Sequence, residues 1–213
     1  MSDTTIVRVP LRSPLTAAHG GLGAELAVEG GAEFVRSYGD PEGELATVRG
    51  SVGVADVTVR AKIDIRGDVE RTIGSFPADV IARIAGDWAV LFSPPGPVDD
   101  RVASMHTAAG ASTMVTDVTH LFAGFALAGP AVGEAVARLT GWDPATLGPG
   151  EATGAPFADA RAIVVRRAGT LDVLEIYPAM EFARYVWDEL VRVVERLGGG
   201  PVGWDALHAG GWR

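Results

Sequence analysis

An internal echo constrains this chain more than any other feature. Val54-Ala55-Asp56-Val57-Thr58 returns as Val115-Thr116-Asp117-Val118-Thr119, and Ile63-Asp64-Ile65-Arg66-Gly67 returns as Phe125-Ala126-Leu127-Ala128-Gly129. The offset is 61 residues at the aspartates and 62 at the glycines. A bulge or a changed turn inside a strand pair produces a one-residue difference of this kind, so the repeat survives it. The chain therefore reads as two copies of one strand-and-helix unit.

Within the first copy, Val52, Val54, Val57, Val59, Ile63 and Ile65 are β-formers, and residues 63–66 alternate apolar with charged before Gly67-Asp68 breaks the run. That pattern predicts a strand. Residues 69–85 set Ile73, Phe76, Val80, Ile81 and Ile84 at roughly helical intervals interrupted by Pro77, which predicts two short helices. The apolar run 88–92, closed by Pro94-Pro95-Gly96, predicts a buried strand, and a helix follows over 98–109. In the second copy, Pro130 suits the first turn of a helix through Leu139, and a Gly- and Pro-rich loop covers 141–156. Residues 162–166 and 172–177 then form a hairpin around Ala168-Gly169-Thr170. The clearest helix is 181–197, whose Phe182, Tyr185, Val186, Leu190, Val193, Val194 and Leu197 make one apolar stripe ended by Gly198-Gly199-Gly200-Pro201. Two β-then-α halves with hairpins predict an α+β fold with mainly antiparallel sheets rather than a doubly wound parallel one. The expected organisation is an irregular wrap over 1–50, a duplicated domain over 51–200 with halves 51–110 and 111–200, and a C-terminal tail over 201–213 that is exposed at Ala209-Gly210-Gly211. Ser13-Pro14 in Arg12-Ser13-Pro14-Leu15 suits a short helix start within the wrap.

Composition excludes several classes. A net charge of −9 opposes nucleic-acid binding, which draws its affinity from Lys and Arg on phosphates. No apolar run approaches the roughly 20 residues of a membrane span, and residues 1–10 carry no apolar segment behind a basic flank. A cytoplasmic, unprocessed chain without a membrane partner is expected. There is no cysteine, and His19, His106, His120 and His208 lie far apart, so a metal site is disfavoured. Gly-x-Ser-x-Gly, Walker and dinucleotide motifs are absent.

Asp56 and Asp117 occupy equivalent points of the repeat. Two such carboxylates could share a site and split their pKa values. The favoured reading is local, because an Asp beside a Thr at a strand end ordinarily accepts nearby backbone N–H groups. Arg60 and Lys62 follow, either to meet an anionic ligand or to form a solvated strand face. Trp88 and Trp187 read as core, whereas Trp204 and Trp212 flank Ala209-Gly210-Gly211 and suit a partner surface.

At Gly53-Val54-Ala55-Asp56-Val57-Thr58 and Lys62-Ile63-Asp64-Ile65-Arg66-Gly67 the chain resembles the first block of glycine-cleavage T-protein aminomethyltransferases. Glu175-Ile176-Tyr177-Pro178, Tyr185-Val186-Trp187 and Pro201-Val202-Gly203-Trp204-Asp205-Ala206-Leu207 are similar to later blocks in the same order. Arg12-Ser13-Pro14-Leu15, Thr116-Asp117-Val118-Thr119 and Leu127-Ala128-Gly129-Pro130 resemble the short gamma subunit of heterotetrameric sarcosine oxidase. The resemblance covers most of 13–207. It implies a duplicated folate-binding domain without the C-terminal barrel of full-length T-proteins, and a central cavity for tetrahydrofolate. It further implies cofactor contacts at Thr58, Arg60, Lys62, Asp172 and Trp204, with Asp172 or Asp79 as catalytic acid.

The chain departs from the family at those last positions. The family's Thr-Asn-Asp block falls on Phe76-Pro77-Ala78-Asp79-Val80, its Gly-Glu motif on Gly169-Thr170-Leu171-Asp172, and two of its arginines on Trp204 and His208. The resemblance with these departures implies an accessory, gamma-type subunit of a folate-linked, flavin-dependent amine oxidase. Its expected partners are flavoprotein oxidase subunits or a second copy of the chain. The alternative is a stand-alone tetrahydrofolate-dependent methyl- or aminomethyltransferase.

Overall fold

The computed structural model describes residues 9–74 and 80–212. Before the repeat lie α1 (Thr16–Gly21), the hairpin β1 (Glu25–Glu29) and β2 (Ala32–Ser37), and α2 (Pro41–Gly50). The first copy contributes β3 (Gly53–Asp56), β4 (Ala61–Arg66), α3 (Val69–Ile73), β5 (Val80–Ala85), β6 (Trp88–Ser93) and α4 (Asp99–Ala109). The second contributes β7 (Met114–Asp117), β8 (Phe125–Ala128), α5 (Val132–Ala137), β9 (Ala152–Phe157), β10 (Ala160–Arg166), β11 (Val173–Pro178) and α6 (Ala183–Arg196). The short β12 (Gly200–Pro201) and α7 (Trp204–Gly210) close the chain.

The sheets do not divide by copy. One has the order β12-β3-β8-β11-β10-β9 and the other β5-β6-β4-β7. The first strand of each copy therefore pairs in the sheet of the other. The registers match: Asp56 opposes Phe125 across β3 and β8, and Asp117 opposes Ile63 across β4 and β7. The crossings match as well, with Val57 N–H donating to Gly124 O at 2.8 Å and Val118 N–H to Lys62 O at 2.9 Å. Among the described residues these sheet pairings are antiparallel except that of β12 with β3, which is parallel. The fold is α+β with mainly antiparallel sheets.

Three apolar clusters define four layers. Trp187 and Leu190 of α6 and Val136 of α5 pack on Phe125, Val164 and Leu174 of the six-stranded sheet. Met105 of α4 and Ile73 of α3 pack on Ile63, Ile65 and Leu91 of the four-stranded sheet. Between the sheets lie Ala82, Val90, Phe92, Ala126, Val165 and Tyr177. Phe92 and Tyr177 occupy equivalent register positions of β6 and β11 and stack on each other, ring centroids 4.0 Å apart. Equivalent residues of the two copies thus meet between the sheets.

Three expectations need correction. The loop expected over 141–156 gives way at Ala152 to β9, which pairs with β10. Residues 80–85 are a strand, because Val80 and Ile81 pair with Phe92 and Leu91 across the Gly86-Asp87 turn, where sheet partners outweigh a weak helical spacing. Trp204 and Trp212 do not form a partner surface: with Ala206 and Leu207 they are buried against the inter-sheet core, while Ala209 and Gly211 between them are exposed. Three aromatic or large apolar groups so close together bury more surface inward than a partner face would leave bare.

Candidate functional site

The turns that carry the chain between sheets organise the site. Asp56 Oδ1 accepts the Thr58 N–H at 2.8 Å, and Asp117 Oδ1 accepts the Thr119 N–H at 2.9 Å. Each threonine hydroxyl accepts the next crossing N–H, Thr58 from Gly124 and Thr119 from Lys62, both at 3.0 Å. Both aspartates therefore do the local work that their sequence context favours.

Asp56 does more. It is buried, and its Oδ2 accepts the Ser13 hydroxyl and lies 2.8 Å from His19 Nε2. His19 Nδ1 is 2.9 Å from the Tyr38 hydroxyl. Burial pushes the Asp56 carboxyl up, but the hydrogen bond and charge of His19, with Ser13 and Thr58, outweigh it and hold the pKa below the ordinary value. Burial, then the charges of Asp56 and Glu44, push the Tyr38 phenol far above its ordinary range. Asp117 is exposed, so the two carboxylates do not form one site.

A second buried carboxylate, Glu175, sits in the middle of β11. Arg60 Nη1 donates to its Oε1 at 2.9 Å, the Trp212 indole N–H to the same oxygen at 2.6 Å, and the Tyr177 hydroxyl to Oε2 at 2.7 Å. Arg167 Nε lies 3.6 Å away. Burial raises the Glu175 pKa, but Arg60 and Arg167, with the two hydrogen-bond donors Trp212 and Tyr177, bring it below the ordinary value. Lys62 is wholly buried beside this group, and its Nζ donates to Thr58 O at 2.7 Å and Arg60 O at 2.9 Å. Burial pushes its pKa down from 10.5 to about 7.

Above Arg60 opens a cavity of about 230 Å³, walled by Phe34, Trp204, His208 and Trp212 and rimmed by Glu29-Gly30 and Pro94-Pro95. Trp204 stacks on Phe34 at 4.5 Å and donates its indole N–H to Asp56 O at 2.8 Å. Burial lowers the His208 pKa against the opposing pull of Asp205 and Glu29. A wider groove of about 730 Å³ between β5 and β9 bears Arg83, Arg166 and Arg167, but those guanidiniums lie on Glu70, Asp172 and Glu175.

Thr58, Arg60, Lys62 and Trp204 thus gather around the 56–62 turn. Asp172 does not join them: Arg166 holds both its carboxylate oxygens, at 2.8 and 2.9 Å, and it does not line the cavity of Arg60. Asp79 lies outside the described residues. Sequence reasoning overlooked Glu175, although one acidic residue inside the apolar run Val173-Leu174-Glu175-Ile176-Tyr177 marks a buried charge. Ser13, His19 and Tyr38 carry no such mark, because their partners lie far along the chain. Among the described residues no three His, Asp or Glu side chains are grouped to hold a metal ion, and no helix is long and apolar enough to cross a membrane.

Tetrahydrofolate, which the resemblance implies, does not fit this cavity. At about 230 Å³ it falls below the roughly 300–1,000 Å³ of sites for ligands of that size. Arg60 is turned to Glu175 and Lys62 to backbone carbonyls, leaving neither directed at a ligand's carboxylates.

No family model matches the chain. It is 31% identical over 230 residues to an aminomethyltransferase of Parafrankia sp. (strain EAN1pec), an alignment covering 92% of this chain and 61% of that protein. Its fold is similar to that of glycine cleavage system aminomethyltransferase T from Bartonella henselae, with a TM-score of 0.76 at 19% identity over 92% of this chain and 60% of the other. It is also similar to a chain of heterotetrameric sarcosine oxidase from Corynebacterium sp. U-96, with a TM-score of 0.61 at 16% identity over 78% of this chain and 97% of the other. The chain spans about three fifths of the length of the curated relatives it matches.

Proposed function

This chain belongs to the superfamily of the glycine-cleavage T-protein, and from that premise we propose that it acts as an accessory, gamma-type subunit beside a folate-linked, flavin-dependent amine oxidase. It lends a T-protein-type fold to the assembly without itself holding a whole tetrahydrofolate. The observation that carries this reading is the small cavity over Arg60, whose guanidinium is committed to Glu175 and whose walls include Trp204 and Trp212. A transferase must position both its one-carbon carrier and an acid against the acceptor. Here Asp172 is committed to Arg166, away from that cavity. The likeness in fold to a sarcosine oxidase chain supports the accessory role. The identity to an aminomethyltransferase supports the alternative, a stand-alone transferase working in a cytoplasmic one-carbon pathway.

Calorimetric titration of the full chain with tetrahydrofolate and 5-formyltetrahydrofolate separates the two. The accessory reading expects no saturable heat from either, and co-elution with flavoprotein amine oxidase subunits on size-exclusion chromatography with light scattering. Saturable folate binding together with methyl or aminomethyl transfer by the isolated chain overturns it.

A further inference from the structure

The two copies differ at one sheet edge. Phe92 and Tyr177 fix the equivalence: Val80 pairs with Phe92 where Ile163 pairs with Tyr177, and the match runs on through Ile81 with Val164, Ala82 with Val165 and Arg83 with Arg166. β5 and β10 are therefore the same strand of the repeat. In the second copy a further strand, β9, pairs with the outer side of β10, whereas β5 ends its sheet. Among the described residues no strand pairs with the outer edge of β5.

β9 shows what that edge can hold. The Arg166 N–H donates to Glu151 O at 2.9 Å, and the Arg166 carbonyl accepts the Gly150 N–H at 2.8 Å. Backbone groups alternate sides along an antiparallel strand, so Val164 pairs outward with Thr153 in the same way. The equivalent residues Ile81 and Arg83 by the same register turn their N–H and C=O groups away from β6. The groove of about 730 Å³ runs along this edge, walled by Val80, Ile81 and Arg83 on one side and by residues 150–152 and 166–168 on the other. A groove with two walls admits one extended segment, whereas the flat edge of a second folded copy would strike the far wall. Sheets ordinarily protect an exposed edge with charge or proline, and Val80-Ile81-Ala82 has neither.

Arg83 sets the charge of the guest. Its guanidinium lies on Glu70, and both side chains are exposed, so that pair is weak and a carboxylate presented from the groove can replace it. Arg166 and Arg167 stay on Asp172 and Glu175, and the one acid of the lining, Glu151, accepts the Gly148 N–H at 2.8 Å. We propose that the outer edge of β5 is a docking site at which an extended, carboxylate-bearing segment of a partner protein adds as a strand, its backbone on Ile81 and Arg83 and its acid on the Arg83 guanidinium. This docking needs only the β5 edge and stands apart from the accessory role.

The probe is the peptide acetyl-Gly-Glu-Ala-Thr-Gly-Ala-Pro-Phe-amide, the sequence of residues 150–157, which offers β5 the strand that β10 already holds. Fluorescence anisotropy of the labelled peptide with the full chain is expected to saturate. N-methylation at the threonine, whose N–H points to the Ile81 carbonyl, is expected to weaken binding at least about tenfold, and N-methylation at the preceding alanine, whose N–H points away, to change it by less than about twofold. Ile81→Pro removes an outward N–H, a change that edge strands tolerate, and is expected to abolish saturation. Arg83→Glu is expected to weaken binding about fivefold, and a peptide with glutamine for glutamate to lose most of that difference. If Ile81→Pro does not fold, the two N-methylated peptides decide the question on the unaltered chain. Binding that survives Ile81→Pro is exchange of the peptide for β9 on β10 and overturns the proposal. No saturation with the wild type, equal effects of the two N-methyl groups, or self-association through this edge that the peptide does not displace overturns it as well. The readout involves neither folate nor an oxidase, so its failure and failure of the accessory reading are distinguishable.

Discussion

The two crossing turns, 56–62 and 117–124, have the same hydrogen-bond plan and opposite chemistry. Each has an Asp accepting a Thr N–H two residues on, and each threonine hydroxyl accepts the N–H of the opposite crossing. Around Asp56 the chain has added Ser13, His19, Tyr38 and the Trp204 indole, and has placed Arg60 and Lys62 on the following turn. Around Asp117 it has added none of these, and the carboxylate faces water. The position equivalent to Lys62 is Gly124, where a Cβ would stand 2.7 Å from the Tyr177 ring. The shared plan builds the fold, and the polar groups that depart from it gather around one crossing only.

The most severe test of that contrast replaces the two aspartates in turn. Asp56→Ala leaves Ser13, His19 and the Thr58 N–H buried without their acceptor, and a loss of about 3–5 kcal/mol is expected, near the scale for breaking a buried ionic contact. Asp117→Ala removes one exposed capping bond and should cost about 1 kcal/mol or less. Urea midpoints of the two variants measure the difference. Equal losses would make Asp56 merely a second copy of the cap.

A symmetric pair serves as the control. Gly67 and Gly129 have φ of 121° and 131°, and a Cβ on either would press within 2.6 and 2.4 Å of Ser112 O and Ser51 O. Gly67→Ala and Gly129→Ala should each lose about 2–3 kcal/mol. They should agree within about 1 kcal/mol, because the backbone and not the acquired chemistry makes the demand. A large disparity in thermal unfolding would show that one crossing matters more to the fold than the other.

The smallest effect concerns proton linkage. Lys62 titrates at about 7 in the folded chain and near its ordinary 10.5 when unfolded, so between those values the unfolded chain holds a proton that the folded chain has lost. Stability should therefore rise with pH through this window, by about 2 kcal/mol between pH 7 and 9, and Lys62→Met should flatten the rise. Above pH 10 the protonated buried phenols of Tyr38 and Tyr177 turn the trend downward. Asp56 and Glu175, with carboxyl pKa values lowered by the fold, contribute stability that is present above about pH 4 and lost as pH falls through their folded values. Denaturant titrations at fixed pH steps check both limbs.

The repeat and the α+β class were legible because they rest on residue types recurring at a fixed spacing. The exchange of β3 and β7 between sheets was not, because alternation says that a segment is a strand without saying which strand it joins. Residues 80–85 were misread as helical since Val80, Ile81 and Ile84 satisfy both periods over so short a run. Thr58, Arg60, Lys62 and Trp204 were reached through the resemblance and cluster in space. Asp172 was reached by the same route and is spent on Arg166, six residues away in the same hairpin. The His19 contact with Asp56 spans 37 residues and depends on how α1 lies across the sheet, which no local pattern encodes.

The strand exchange has a consequence for how the chain comes together. A half that lends its opening strand to its twin leaves its own sheet with a bare edge until the twin returns the loan. A molecule carrying one copy could complete that edge only by meeting a second molecule, at a rate set by how many were present. Joining the copies end to end turns that bimolecular encounter into an intramolecular search across some sixty residues, independent of concentration. The linkage also frees each copy to mutate without the other: Lys62 of the first copy has Gly124 as its counterpart and Glu175 of the second has Val90, substitutions that a pair of identical chains would have had to accept twice.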